Sequence, residues 1–86
     1  APREVPDPGE SPEQTLLSRE LREAMDREVA NLPDSWKKVF ILRDVEDLST
    51  AEVSEALGIS EAAVKARLHR ARARLKQQLR PYLTAE

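Results

Sequence analysis

The chain has 86 residues, no cysteine and one histidine, with 14 Lys/Arg against 16 Asp/Glu. That length sets a limit of one small domain, and the missing cysteines exclude a disulfide framework or a thiolate metal site. A single His69, no nucleophile–base pair or phosphate loop, and no apolar run of membrane-spanning length point to a soluble, cytoplasmic, non-enzymatic protein with no cofactor, metal or membrane partner.

The first ten residues, APREVPDPGE, hold three prolines and a glycine and read as a flexible linker, as if the chain continued something longer. A folded domain is expected over residues 11–84. Ser11 reads as an N-cap, with Pro12 at the first helical position and Gln14 closing a capping box. The helix that follows should run to about Asn31. Leu17, Leu21, Ala24, Met25, Val29 and Leu32 keep helical spacing, while Arg19, Glu20, Glu23 and Arg27 face water. Leu32-Pro33 ends it.

A second helix is predicted over Asp34–Val45, with Trp36, Val39, Phe40 and Leu42 as its apolar set. Glu46-Asp47 makes a turn. Ser49 then caps a short third helix, and Glu52 three residues on forms a capping box. Val53, Ala56 and Leu57 should point inward. Gly58 supplies the left-handed conformation that ends this helix, Ile59 plugs the turn, and Ser60 caps a fourth helix. That last helix is predicted to run to about Arg80 and to continue straight towards Tyr82-Leu83. No strand pattern and no internal repeat appears, so the expected fold is all-α: four helices, the last two forming a helix-turn-helix.

Charge is concentrated on the fourth helix. Residues 1–60 hold seven basic and fourteen acidic side chains, whereas residues 61–86 hold seven basic and two acidic ones. A basic stripe on the second helix of a helix-turn-helix is the electrostatic footprint of phosphate contact. At about 100° per residue, Val64, Leu68, Ala71, Leu75 and Leu79 share one stripe and belong in the core. The opposite side carries Ala62, Lys65, Ala66, His69 and Ala73, with Arg70 at its border. The alanines let the backbone approach base edges, and Lys65 and Arg70 are long enough to reach guanine O6 and N7. Arg67, Arg72 and Arg74 lie on the flanks, where phosphates run. The start of the third helix, with Ser49 and Thr50, is a second expected phosphate anchor, and the Ser60 cap a third.

The stretch LPDSWKKVFILRDVEDLSTAEVSEALGISEAAVKARLHRARARLKQQL resembles region 4, the C-terminal domain, of a bacterial RNA polymerase sigma factor, closest to the extracytoplasmic-function class. Leu32-Pro33, Val39-Phe40, Leu42-Arg43, Leu48-Ser49 and Leu57-Gly58-Ile59-Ser60 carry the likeness. Val64-Lys65 followed by Arg67-Leu68-His69-Arg70-Ala71-Arg72 is its most specific part. The resemblance implies a winged-helix-like DNA-binding fold without a wing, and recognition of the upstream (minus-thirty-five) element of double-stranded promoter DNA. It also implies docking on the beta-subunit flap of the RNA polymerase core, action as a monomer, and, in many members, restraint by an anti-sigma factor. The promoter-melting domain of such factors is expected upstream of the linker. Three positions depart from the family's habit: Asp47 where Gly is frequent, Thr50 where an aromatic is, and Ala66 where Ser is. Asp tolerates the left-handed conformation, so the turn is expected to survive.

Plainer readings stand beside these. His69 is either a groove contact or a surface residue. Trp36 reads first as core, with an exposed docking role as the alternative. Arg43 either pairs locally with Asp44 or Glu46 or holds a phosphate, the latter slightly favoured. The acids of the first helix read as a solvated face. Two other protein classes fit the layout less well. A dimeric two-component or quorum-type regulator usually has a separate dimerisation helix. A pure protein-interaction module would gain little from the alanines of the basic face.

Overall fold

The computed structural model describes residues 12–83 of the chain. The Ser11–Gln14 capping box, the linker over 1–10 and the end of the domain at 84 lie outside the described residues and side chains. Among the described residues the fold is all-α. Helix α1 spans Pro12–Ala30, α2 Asp34–Phe40, α3 Thr50–Leu57, α4 Glu61–Gln78 and a single-turn α5 Arg80–Leu83.

Helix α1 ends where Leu32-Pro33 was expected to end it: the Asn31 and Leu32 amides donate back to Arg27, Glu28 and Val29 carbonyls. Pro33 then sits before α2 with φ −54° and ψ 143°, and its carbonyl accepts from the Trp36 and Lys37 amides at 3.0 and 2.8 Å. The second helix fills its predicted span in two parts. Beyond Phe40 it widens into a π-helical turn over Ile41–Val45, closed by Glu46 N–H donating to the Ile41 carbonyl at 2.8 Å. Asp47 follows with φ 65°, so the left-handed turn survives without glycine.

Helix α3 has the predicted reciprocal capping box between Ser49 and Glu52, and Gly58 ends it at φ 68°, ψ 34°. The Gly58 and Ile59 amides both donate to the Ser54 carbonyl, which satisfies the end of the helix within two residues. Ser60 then starts α4, its hydroxyl oxygen accepting from the Ala63 amide at 3.0 Å.

Three valines meet at the centre: Val39 of α2, Val53 of α3 and Val64 of α4 are each fully buried. Around them lie Phe40, Leu68, Ala71, Leu75 and Leu79, with Ala24 of α1 and Leu32 closing the far side. The whole predicted stripe of α4 is therefore core. No polar or charged residue is buried among the described residues.

Three expectations are corrected. Leu17 is exposed, as is its neighbour Leu16, because the start of α1 lies ahead of the part that reaches the core. Ala56 faces water rather than the interior; α3 is short enough that Val53, with Leu57 half-buried, supplies its contact. The fourth helix does not run straight to Leu83. It stops at Leu79 (φ −96°, ψ 3°), because Pro81 lacks the amide that would bond the Gln77 carbonyl and its ring crowds the preceding turn. The Tyr82 and Leu83 amides bond Leu79 instead.

Candidate nucleic-acid interface

With its apolar stripe buried, α4 turns the other face outward. Ala62, Lys65, Ala66, His69, Arg70 and Ala73 are all exposed and lie on the first four turns of one helix. Leu57 and Ile59 of the turn pack against the core, which seats α3 behind α4 and leaves this face clear. The result is a shallow alanine floor edged by two long cations and an imidazole. Small residues on an exposed helix face allow close approach of its backbone to a major groove, and long cations are the side chains that pair with guanine acceptors there.

The expected phosphate contacts divide into free and engaged groups. Arg67 is half-buried and borders a shallow hollow with Lys38, Ser35, Leu57 and Ile59. Arg72 is engaged: Nε donates to Asp44 Oδ2 at 2.8 Å and Nη2 to Oδ1 at 2.6 Å. This two-pronged hold, reinforced by the charges of Arg72 and Arg43, keeps the Asp44 carboxyl below its ordinary pKa despite partial burial, and raises that of Arg72. Arg74 lies over the Trp36 ring, its guanidinium carbon 5.9 Å from the centroid. Trp36 itself is half-buried against the core.

Arg43 has a different partner from either one expected. Its Nη1 donates to the Leu48 carbonyl at 3.0 Å across the turn, so it ties the π-helical turn to the start of α3. Its buried Nε finds no acceptor among the described residues. At the start of α3 the oxygen of Ser49 accepts from the Glu52 amide at 3.0 Å, and Glu52 Oε1 accepts from the Ser49 amide at 2.7 Å. That backbone hydrogen bond from Ser49 is the main reason the Glu52 carboxyl sits below its ordinary pKa. A carboxylate thus already occupies part of the helix N-terminus where a phosphate was expected. Thr50 beside it is half-buried, and the Ser60 hydroxyl oxygen serves its own helix.

Sequence reasoning missed three features. The Asp44–Arg72 pair joins residues 28 apart, beyond any local spacing rule. The Trp36–Arg74 stack has no signature other than an aromatic and a cation somewhere in the chain. The third is an apolar groove of about 580 Å³ between α1 and α4, lined by Leu21, Met25, Phe40, Leu75, Leu79 and Leu83. Its signal was available: Leu21 and Met25 of α1, and Leu75 and Leu79 at the end of α4, each lie four residues apart on one helix face.

An all-α domain in which α3 and α4 form a capped helix-turn-helix, with a basic, alanine-floored outer face, belongs to the helix-turn-helix class. Residues 22–75 match the family model for region 4 of sigma-70, and the chain belongs to that family. It is 38% identical over 72 residues to the ECF RNA polymerase sigma factor SigW of Bacillus subtilis, covering 84% of this chain and 38% of that protein. With the ECF RNA polymerase sigma factor SigE of Mycolicibacterium smegmatis it shares 35% over 82 residues, 95% of this chain and 29% of the relative. The ECF RNA polymerase sigma-E factor of Haemophilus influenzae is 30% identical over 74 residues, 86% and 39% respectively. The chain therefore spans less than half the length of these relatives. No helix among the described residues is long and apolar enough to cross a membrane.

Proposed function

We propose that this chain is the promoter-recognition module of an extracytoplasmic-function sigma factor, reading the upstream promoter element and docking on RNA polymerase to direct transcription initiation. One observation carries the reading: the exposed face of α4 combines Lys65 and Arg70 with the floor of Ala62, Ala66 and Ala73, directly opposite a fully buried apolar stripe. The helix enters the major groove, Lys65 and Arg70 contact guanine acceptors, and His69 lies beside them. Arg67 and the amides at the starts of α3 and α4 meet the phosphates on either side.

The groove between α1 and α4 is the place for a protein partner. Its apolar lining, with Arg22 and Lys76 at the border, suits an amphipathic segment with acidic flanks, such as the polymerase beta-subunit flap or an anti-sigma factor. The domain acts as a monomer in the cytoplasm and carries no chemistry of its own, the polymerase supplying the reaction.

The test is selection of preferred sites from a random duplex pool at low salt, with a Lys65→Ala/Arg70→Ala variant beside the wild type. A short asymmetric motif, lost in the variant, is the expected result. A palindrome would indicate a dimeric regulator instead, and no enrichment would contradict base reading by this chain.

A further inference from the structure

The buried side of α4 is apolar: Val64, Leu68, Ala71 and Leu75 all belong to the core, and the helix packs chiefly on α2 and α3. Close packing of this stripe decides which side of α4 faces inward, but hydrophobic contact is non-directional and does not by itself fix an angle to the tolerance of a hydrogen bond. Directional restraint comes from the flanks. Arg72 and Arg74 are two residues, about 200°, apart around the helix, so their side chains leave it in nearly opposite directions. Arg72 is held by both carboxylate oxygens of Asp44, and Arg74 by the Trp36 ring. Both partners belong to one continuous stretch, α2 with its π-helical turn, which lies against the back of α4 through Val39 and Phe40. That stretch therefore meets α4 on both flanks.

We infer that Arg72 is a positioning residue for promoter reading: through Asp44, and opposed by Arg74 on Trp36, it fixes the rotation of α4 and hence the direction in which Lys65 and Arg70 meet the bases. This rests on the proposed reading of bases by those two residues. The magnitude makes rotation matter. A side-chain tip lies about 6 Å from a helix axis, so a roll of about 20° moves it about 2 Å sideways. Hydrogen bonds occupy a window of only about 0.5 Å, so such a roll breaks a two-pronged base contact. An Arg–carboxylate fork is suited to preventing it, because its two parallel hydrogen bonds define a plane as well as a distance.

A lysine substitution separates this role from a phosphate contact. Arg72→Lys keeps the charge, so a phosphate contact would survive it, but an ammonium cannot reproduce the planar two-pronged hold. Affinities would be measured for the selected duplex and a scrambled one, across a salt series, for wild type, Arg72→Lys, Asp44→Asn and the double variant. Circular dichroism would first establish that each is folded. Arg72→Lys is expected to lower the ratio of selected to scrambled affinity about tenfold, as for one lost bidentate base contact, with scrambled affinity and salt slope unchanged. Asp44→Asn should lower the ratio similarly and add nothing in the Arg72→Lys background. A wild-type ratio in Arg72→Lys, or equal weakening on both duplexes, would overturn the inference while leaving promoter reading intact. A wild type with no sequence preference would overturn both. Residual dipolar couplings give a readout without DNA: Arg72→Lys should change the orientation of α4 relative to α2, and an unchanged orientation counts against the inference.

Discussion

Leu68 and Ala66 lie two residues apart on α4 and on opposite sides of the molecule: Leu68 is 6% exposed within the core, whereas Ala66 faces open solvent. Stability and recognition are therefore separable on a single helix. Leu68→Ala should destabilise the domain by about 2–5 kcal/mol, measured by urea denaturation, because it opens a void in a small core. Ala66→Leu should leave the urea midpoint almost unchanged and abolish duplex binding by blocking backbone approach. A melting transition unchanged in Leu68→Ala would contradict the core assignment.

Lys65 and Arg70 are exposed on the outer face, and Arg67 is half-buried on its flank. Lys65→Ala and Arg70→Ala should each weaken binding to the preferred duplex by about 1–3 kcal/mol and relax selection at particular base pairs. Arg67→Ala should weaken all duplexes alike and reduce the slope of log affinity against log salt by about 1. Titrations at several salt concentrations on preferred and scrambled duplexes distinguish the two patterns.

Ser60 begins α4 by accepting from the Ala63 amide, so its first duty is to the helix. Ser60→Ala should lower stability by about 1 kcal/mol in thermal or chemical denaturation. At α3 the anion on the helix start is the protein's own Glu52. Glu52→Gln keeps an oxygen able to accept from the Ser49 amide but removes the charge, and should strengthen duplex binding at low salt. Weakened binding would place the phosphate path elsewhere.

Asp44 carries a pH dependence of definite sign. Its hydrogen bonds from Arg72 hold the folded-state pKa below the ordinary value near 3.8. The folded protein thus takes up this proton less readily than the unfolded chain. The stability so gained is complete above the unfolded-state pKa and disappears as pH falls through the folded-state one. The difference in Tm between wild type and Asp44→Asn should be constant from about pH 8 to pH 5 and narrow towards pH 3. With the Arg72 side chain 54% exposed, the difference should be modest and smaller in high salt. A gap that widens in acid would contradict the pairing.

Much of the architecture could be read from local spacing. The caps at Ser49 and Ser60, the left-handed Gly58 and the stripe from Val64 to Leu79 each depend on residues within a turn or two of one another, and each lies where expected. What escaped depends on distant partners or on balance. Asp44 meets Arg72 only because α2 and α4 pack together, and nothing within either helix announces it. The π-helical turn over Ile41–Val45 has no proline or glycine to mark it. The break at Leu79 did have a marker in Pro81, but the apolar rhythm through Leu83 outweighed it. At the outer face the expected base-facing residues share one exposed surface, whereas Arg43, Arg72 and Arg74 find partners within the domain that spacing alone could not supply.

That every residue buried in the core is apolar among the described residues has a consequence for how such a domain can vary. Aliphatic side chains of similar volume substitute for one another with little penalty, so Val39, Val53 and Val64 are free to drift together through other combinations as long as the space stays filled. The rim pairs Asp44–Arg72 and Trp36–Arg74 and the caps at Ser49 and Ser60 are few and depend on particular functional groups rather than on volume. Substitutions inside would then act chiefly on how long the domain survives, and substitutions at the rim chiefly on how α4 presents its outer face.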